Sequence, residues 1–188
     1  MGVTIHYRLG QEKEFVKSTL DSAQKVANGM KEEAKERGID FKIKRENSKK
    51  LVIDIAGCES LMFDFKSVKK VKEQGKGKWD YENETLFKEN GIGKVDEDLF
   101  YTSGFCKTQF AEDIIEHLWV ADLIRVVASR CKLTDVSDEG DYYHTGKIED
   151  AIKGIIENGK MIDKLGDMLG GLDSKKYNIV KGNTKIKE

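Results

Sequence analysis

Phe41-Lys42-Ile43-Lys44-Arg45-Glu46-Asn47-Ser48-Lys49-Lys50-Leu51-Val52-Ile53-Asp54-Ile55-Ala56-Gly57-Cys58-Glu59-Ser60-Leu61-Met62-Phe63-Asp64-Phe65 decides the fold class. Phe41 to Arg45, Leu51 to Ile55 and Leu61 to Phe65 read as three short strands. Asn47-Ser48 and Gly57-Cys58-Glu59-Ser60 supply the turn residues between them. Connections this short join antiparallel neighbours, so the stretch predicts a meander with one face against a helix. The helix lies just upstream, from about Glu12 to Arg37. Val16, Leu20, Ala23, Ala27, Met30 and Ala34 recur three or four apart and form one apolar stripe, and Gly38 is a good stop. Before it, Val3, Ile5 and Tyr7 alternate with Thr4, His6 and Arg8 as in a half-buried strand.

Downstream, Leu99 to Phe105 reads as a strand and Phe110 to Cys131 as the most apolar helix of the chain. Leu133 to Ser137 reads as a last strand. Ile148 to Leu169 reads as an amphipathic helix through Ile148, Ile152, Ile155, Ile162 and Leu169. Between the halves, Lys66 to Asp98 is Gly-punctuated and reads as a long hairpin or loop, with a short strand near Leu86-Phe87. The expectation is an α+β protein: a mainly antiparallel sheet with three principal helices. Residues 1–171 form a single domain in this reading, and 172–188 a lysine-rich tail outside the core.

Composition narrows the classes. The 188 residues carry 38% hydrophobic and 36% charged side chains with a net charge of -1. Nothing in that balance favours nucleic acid or an anionic membrane. No apolar run approaches the roughly 18 residues of a membrane span. The chain runs straight into a strand-like segment, with no visible signal peptide. Three cysteines, an odd number without framework spacing, fit free thiols in a reducing cytoplasm. Lys66, Lys69, Lys70, Lys72, Lys76 and Lys78 with Trp79 form a basic run. A neighbouring acidic stretch makes a solvated loop the better reading than a single-strand binder. Gly91-Ile92-Gly93-Lys94 lacks the spacing of a phosphate loop.

Two polar stretches each lead into a helix: Phe105 to Asp113, and Ser137 to Asp150. Loops feeding helix starts commonly carry function. In the first, Cys106 beside Lys107 would have its thiolate favoured near a helix N-terminus. The plainer reading is a half-buried thiol beside a helix capped by Thr108, with Glu112 and Asp113 in its first turn. In the second, Asp135, Asp138, Glu139 and Asp141 crowd the approach to Tyr142, Tyr143 and His144. Their spacing fits neither a calcium loop nor a zinc-protease helix, and a solvated acidic turn is the plainer reading. His117, inside the apolar helix, reads as a core or boundary residue, and His6 as an exposed strand residue. Cys58 reads as a turn or core thiol. No metal and no cofactor is expected.

Gly2 to His6, Gly57-Cys58-Glu59 before Phe63-Asp64-Phe65, Phe105-Cys106-Lys107-Thr108-Gln109-Phe110-Ala111, and Asp138-Glu139-Gly140 with Tyr142 resemble an uncharacterised prokaryotic protein family. The resemblance spans residues 1 to about 171. It implies no activity. The loop from Lys66 to Asp98 and the Tyr143-His144 pair depart from the family pattern.

The leading functional expectation is a cytoplasmic binding or interaction module. Its recognition surface would be built from Lys107, Thr108, Gln109, Asp138, Glu139, Tyr142 and Tyr143. Its partner would be a polar small molecule or a protein. Lys107 and Gln109 would meet an anionic or polar group, while Asp138 and Glu139 would meet a cationic group or hold Lys107. The competing expectation is an enzyme with Cys106 as nucleophile or redox thiol and Glu139 or His144 as acid–base partner. A third class is a structural or immunity-like partner protein with a broad interface. All composite readings rest on topology: if the strands ending at Phe105 and Ser137 are parallel, their loops share one end of the sheet.

Overall fold

The computed structural model describes residues 3–67, 99–108, 114–154 and 156. In chain order the elements are β1 (Thr4–Glu12), α1 (Lys13–Arg37), β2 (Phe41–Asn47), β3 (Lys50–Ile55), β4 (Leu61–Asp64) and β5 (Lys66–Ser67). They continue with β6 (Leu99–Lys107), α2 (Ile114–Ala128), β7 (Leu133–Asp138) and the single-turn α3 (Tyr142–Thr145). Residues 148–154 form a further helical segment, α4, and 156 is helical too. The fold is α+β: a four-stranded sheet ordered β5-β6-β1-β7 and a three-stranded sheet ordered β2-β3-β4, both antiparallel between neighbours. The predicted meander is the second sheet.

Helix α1 forms where the apolar stripe runs. Val16, Leu20, Ala23, Ala27 and Ala34 are buried, and Met30 is half-buried. It ends at Gly38, whose φ of 73° is left-handed, and the Ile39 N–H bonds back to the Ala34 carbonyl at 2.9 Å. Helix α2 buries Leu118 through Ala121, Leu123, Ile124 and Val127. Trp119 meets the Phe41 ring edge-on at 5.8 Å, which joins α2 to the second sheet. Gln11 ties β1 to both helices: its side-chain N–H donates to Thr19 Oγ1 at 3.2 Å and to the Arg130 carbonyl.

Strand β1 is the centre of the larger sheet. Ile5, Tyr7 and Leu9 point into the core, opposite Cys106, Gly104 and Thr102 on β6 and opposite Asp138, Val136 and Thr134 on β7. His6 points to the other face, between Phe105 and Ser137. The two sheets meet along β4 and β6. The Asp64 N–H donates to Thr102 Oγ1 at 2.9 Å, and the Tyr7 and Phe63 rings lie 5.4 Å apart. The Tyr7 hydroxyl crosses Gly104 on its way to the Met62 carbonyl. A Cβ at Gly104 would lie 2.6 Å from that oxygen, so only glycine fits.

Strand β6 runs on through Lys107 and β2 through Asn47, further than expected from local sequence, while β4 stops at Asp64, one residue short. One expectation needs correction. Ile148 and Ile152 do not face the core but are 48% and 37% exposed, while Ala151 is buried. The reason is close packing: a Cβ on Gly154 would lie 3.0 Å from Gly140 Cα. The small side of α4 therefore faces the chain. The short strand expected near Leu86-Phe87, the outer part of the last helix and the tail lie outside the described residues.

The Gly104 contact makes a stability test. Gly104→Ala is expected to lower stability by about 1–3 kcal/mol, the usual range for overpacking. In a Tyr7→Phe background the same change is expected to cost less, because the nearest atom is gone. Urea denaturation of the four variants measures that coupling.

Candidate functional site

Because β6 and β7 are each antiparallel to β1, they run parallel to one another with β1 between them. The chain therefore leaves both strands at the same end of the sheet. Two backbone bonds show the convergence: Thr108 N–H donates to the Val3 carbonyl at 3.0 Å, and Glu139 N–H to the Thr4 carbonyl at 3.1 Å. The described parts of the two polar stretches, at Thr108 and at Glu139, share one end of the sheet.

What joins them is His117. Its imidazole is fully buried, with Nδ1 2.9 Å from Thr108 Oγ1 and Nε2 3.6 Å from Asp138 Oδ2. The second separation exceeds a hydrogen bond, so that contact is electrostatic. The Nε2 atom has no hydrogen-bond partner among the described residues. Thr108 Oγ1 also lies 3.3 Å from the Val3 carbonyl, so its one proton can serve either neighbour while its lone pairs accept from Nδ1.

Asp138 is buried as well, and its two oxygens are used separately. Oδ1 accepts from Gly140 N–H and Oδ2 from Tyr143 N–H, both at 2.8 Å. Burial pushes its carboxyl up; the His117 ring and these two N–H groups outweigh burial and hold it below the usual carboxylate range. Gly140 lies against the ring: a Cβ there would come within 2.7 Å of Nε2. The turn after β7 is thus clamped between His117 and α4.

The order hydroxyl, imidazole, carboxylate is that of a hydrolase relay. Here, however, Thr108, His117 and Asp138 are all buried, and the hydroxyl turns toward a backbone carbonyl. What the trio does is tie the ends of β6 and β7 to α2. Thr108 and Asp138, expected on a recognition surface, are internal instead. Buried polar groups need partners, and these two supply them to His117.

The remaining candidates separate in the same way. Tyr142 is buried, its ring 4.5 Å from the Arg125 guanidinium. Arg125 donates to the Tyr142 and Tyr143 carbonyls and pairs with Asp122 at 2.9 Å, so it holds the end of α3. Glu139 is exposed, with one carboxylate oxygen accepting from Thr4 N–H at 3.0 Å. Tyr143 is half-buried, and burial raises its hydroxyl pKa. The exposed His144 packs edge-on against its ring at 5.1 Å. Lys107 is held by Glu59, at 3.8 Å, and not by Asp138 or Glu139. That pair is exposed and contributes little. Gln109 lies outside the described residues.

Cys106 is corrected most sharply. It belongs to β6 and points inward, while Lys107 points to the opposite face, as strand alternation requires. Its thiol donates to the Glu59 carbonyl at 3.0 Å, and to neither acid–base candidate. Burial first, and then the nearby Cys58 and Glu59, push its pKa far above the free-thiol value. An activated nucleophile needs the reverse.

Sequence reasoning did not assign His117, Arg125 or Glu59 to this region. A signal existed for the first two: each is a polar interruption in an otherwise apolar helix, and such a residue has to be paired. Among the described residues, no group of three or more His, Cys, Asp or Glu is arranged to hold a metal ion, and no helix is long and apolar enough to cross a membrane. No family model, curated protein or solved structure matches the chain.

Two outcomes test this geometry. Asp138 binds a proton less readily in the fold than in the unfolded chain, where its value is about 3.9. Its contribution is therefore complete above that value and lost as pH falls through the lower folded one. Asp138→Asn sets an NH2 group against one of two N–H donors and removes the charge facing His117. It is expected to destabilise by about 3 kcal/mol at neutral pH and to flatten the acid limb of stability against pH. For Cys106, alkylation of the native protein is expected to be slow, with a midpoint above about 8.5. A fast signal below that value, absent in Cys106→Ser, would restore the enzyme reading.

Proposed function

We propose that this chain is an interaction module that binds a polar small molecule or a protein at the shared loop end of the larger sheet. The observation that carries the reading is the convergence of the ends of β6 and β7 there, fixed by the buried Thr108–His117–Asp138 trio. Positioning of this kind leaves other groups outside. Lys107, Glu139 and Tyr143 retain solvent-facing area, and His144, packed on the Tyr143 ring, is exposed. On the outer sheet face Lys107 is accompanied by His6 and by Phe105, which is 42% exposed, whereas Tyr143 lies on the α2 side beside Arg125. The His6 and Phe105 rings lie 5.9 Å apart, and Lys107 Nζ is 5.6 Å from the Phe105 ring centre. Aromatic area beside a cation and a carboxylate suits a ligand with both apolar and charged parts.

Of the original surface, Lys107, Glu139 and Tyr143 remain as contact residues; Thr108, Asp138 and Tyr142 become positioning residues. The family resemblance adds no activity to this reading.

Backbone NMR of the labelled full chain, titrated with a library of charged aromatic fragments and short peptides, tests it. Shifts are expected to cluster at His6, Phe105, Lys107, Glu139 and Tyr143. Phe105→Ser with Lys107→Glu is expected to weaken those hits at least about tenfold, the size of one lost contact worth 1.4 kcal/mol. Hits confined to other surfaces overturn the proposal.

A further inference from the structure

Where the two sheets meet, the turn after β3 lies directly against the end of β6. Glu59 N–H donates to the Lys107 carbonyl at 2.8 Å, and the Cys106 thiol donates to the Glu59 carbonyl at 3.0 Å. The residue before Glu59 is Cys58, half-buried and packed against the same core. Two free thiols, one in the turn after β3 and the other on β6, are therefore brought to one seam, separated in sequence by β4, β5 and most of β6. The third, Cys131, follows α2 near the far end of β1, where its neighbour Arg130 accepts from Gln11. Cys58 and Cys106 each precede the bonded residues Glu59 and Lys107, and the Cys106 sulfur lies against the carbonyl of the residue next to Cys58; disulfides span Cα separations of about 4.4–6.8 Å.

We infer that Cys58 and Cys106 form a reversible disulfide that staples the two sheets together when the chain meets a small-molecule disulfide such as oxidised glutathione. The exchange balances in two steps. Cys58, the more exposed thiol, gives up its proton and its sulfur attacks one sulfur of the oxidant. The oxidant's S–S bond breaks, and the departing thiolate takes up a proton. Cys106 then loses its proton and attacks the Cys58 sulfur of the mixed disulfide, releasing the second small thiol. Both cysteines are oxidised, two electrons pass to the reagent, and two small thiols leave.

The surroundings make this slow in the folded chain. Burial and then the charge of Glu116 push the Cys58 thiol up to about 12. Thiolate is scarce at neutral pH, so the pair is a slow staple set by the prevailing redox balance and not a rapid sensor. The inference is independent of the proposed binding surface, since neither sulfur belongs to it.

The test removes the kinetic barrier. The full chain is unfolded, refolded in a buffer of reduced and oxidised glutathione, quenched with an alkylating agent under denaturing conditions, and mapped by mass spectrometry. The expected result is loss of two of the three thiols, a single Cys58–Cys106 bridge, and a raised melting temperature that falls back on reduction. Cys131→Ser is expected to give the same bridge. Three alkylated thiols across the oxidising range, or a bridge that includes Cys131, overturns the inference.

Discussion

Strand β1 is bonded along both edges, to β6 from Thr4↔Lys107 to Glu12↔Leu99 and to β7 from Ile5↔Asp138 to Gly10↔Leu133. That double pairing fixes two things together. It sends the chain out of β6 and β7 at the same end. It also sets which side chains of those strands look inward, because residues opposite Ile5 must share its face. Cys106 and Asp138 are both opposite Ile5, so both are internal. A one-residue shift of β6 could bring Lys107 inward in place of Cys106, and one of β7 could bring Ser137 inward in place of Asp138.

An inward carboxylate is tolerable only with partners, and Asp138 has them from three directions: the Gly140 and Tyr143 N–H groups and the His117 ring. An apolar residue in its place would bury more cheaply, but nothing would then hold the backbone of 140–143 in its tight course. The same holds at Thr108. Its bonds to Val3 and His117 fix where the chain leaves β6. The trio thus sets position more than it adds stability.

Much of the fold was legible. The stripe of α1, its Gly38 stop and the three strands from Phe41 to Phe65 are governed by local period and turn chemistry, which a sequence displays directly. The site was legible only as a location. The strand ending assigned at Phe105 continues to Lys107 because β1 pairs with it, a tertiary cause with no local mark. That extension is what turns Cys106 from a half-buried thiol ahead of a helix into a core residue. Likewise, Ile148 and Ile152 have the spacing of a buried stripe, yet the buried side of α4 is the one bearing Ala151 and Gly154. Hydrophobic period finds large apolar faces. It does not find a face selected for being small enough to let two backbones touch.

His117 shows how far such reasoning can be pushed. One imidazole in an apolar helix is most simply a satisfied core residue, and His117 is one in part: Nδ1 meets Thr108, while Nε2 faces Asp138 beyond hydrogen-bond distance. But being satisfied is a relation, and the relation has two ends. A buried histidine in α2 requires polar partners from whatever packs against that turn of helix, and the candidates there are the loops at the sheet end nearest it. Thr108 and Asp138 are those partners, so the residues that looked like a recognition surface were the other half of the histidine's environment. What remains outside after that pairing is complete, Lys107, Phe105, His6, Glu139 and Tyr143, is determined by subtraction. Not all of these are idle: Glu139 accepts from Thr4 N–H, Lys107 pairs with Glu59 and Tyr143 lies beside Arg125, which leaves His6 and Phe105 as ring area turned to solvent.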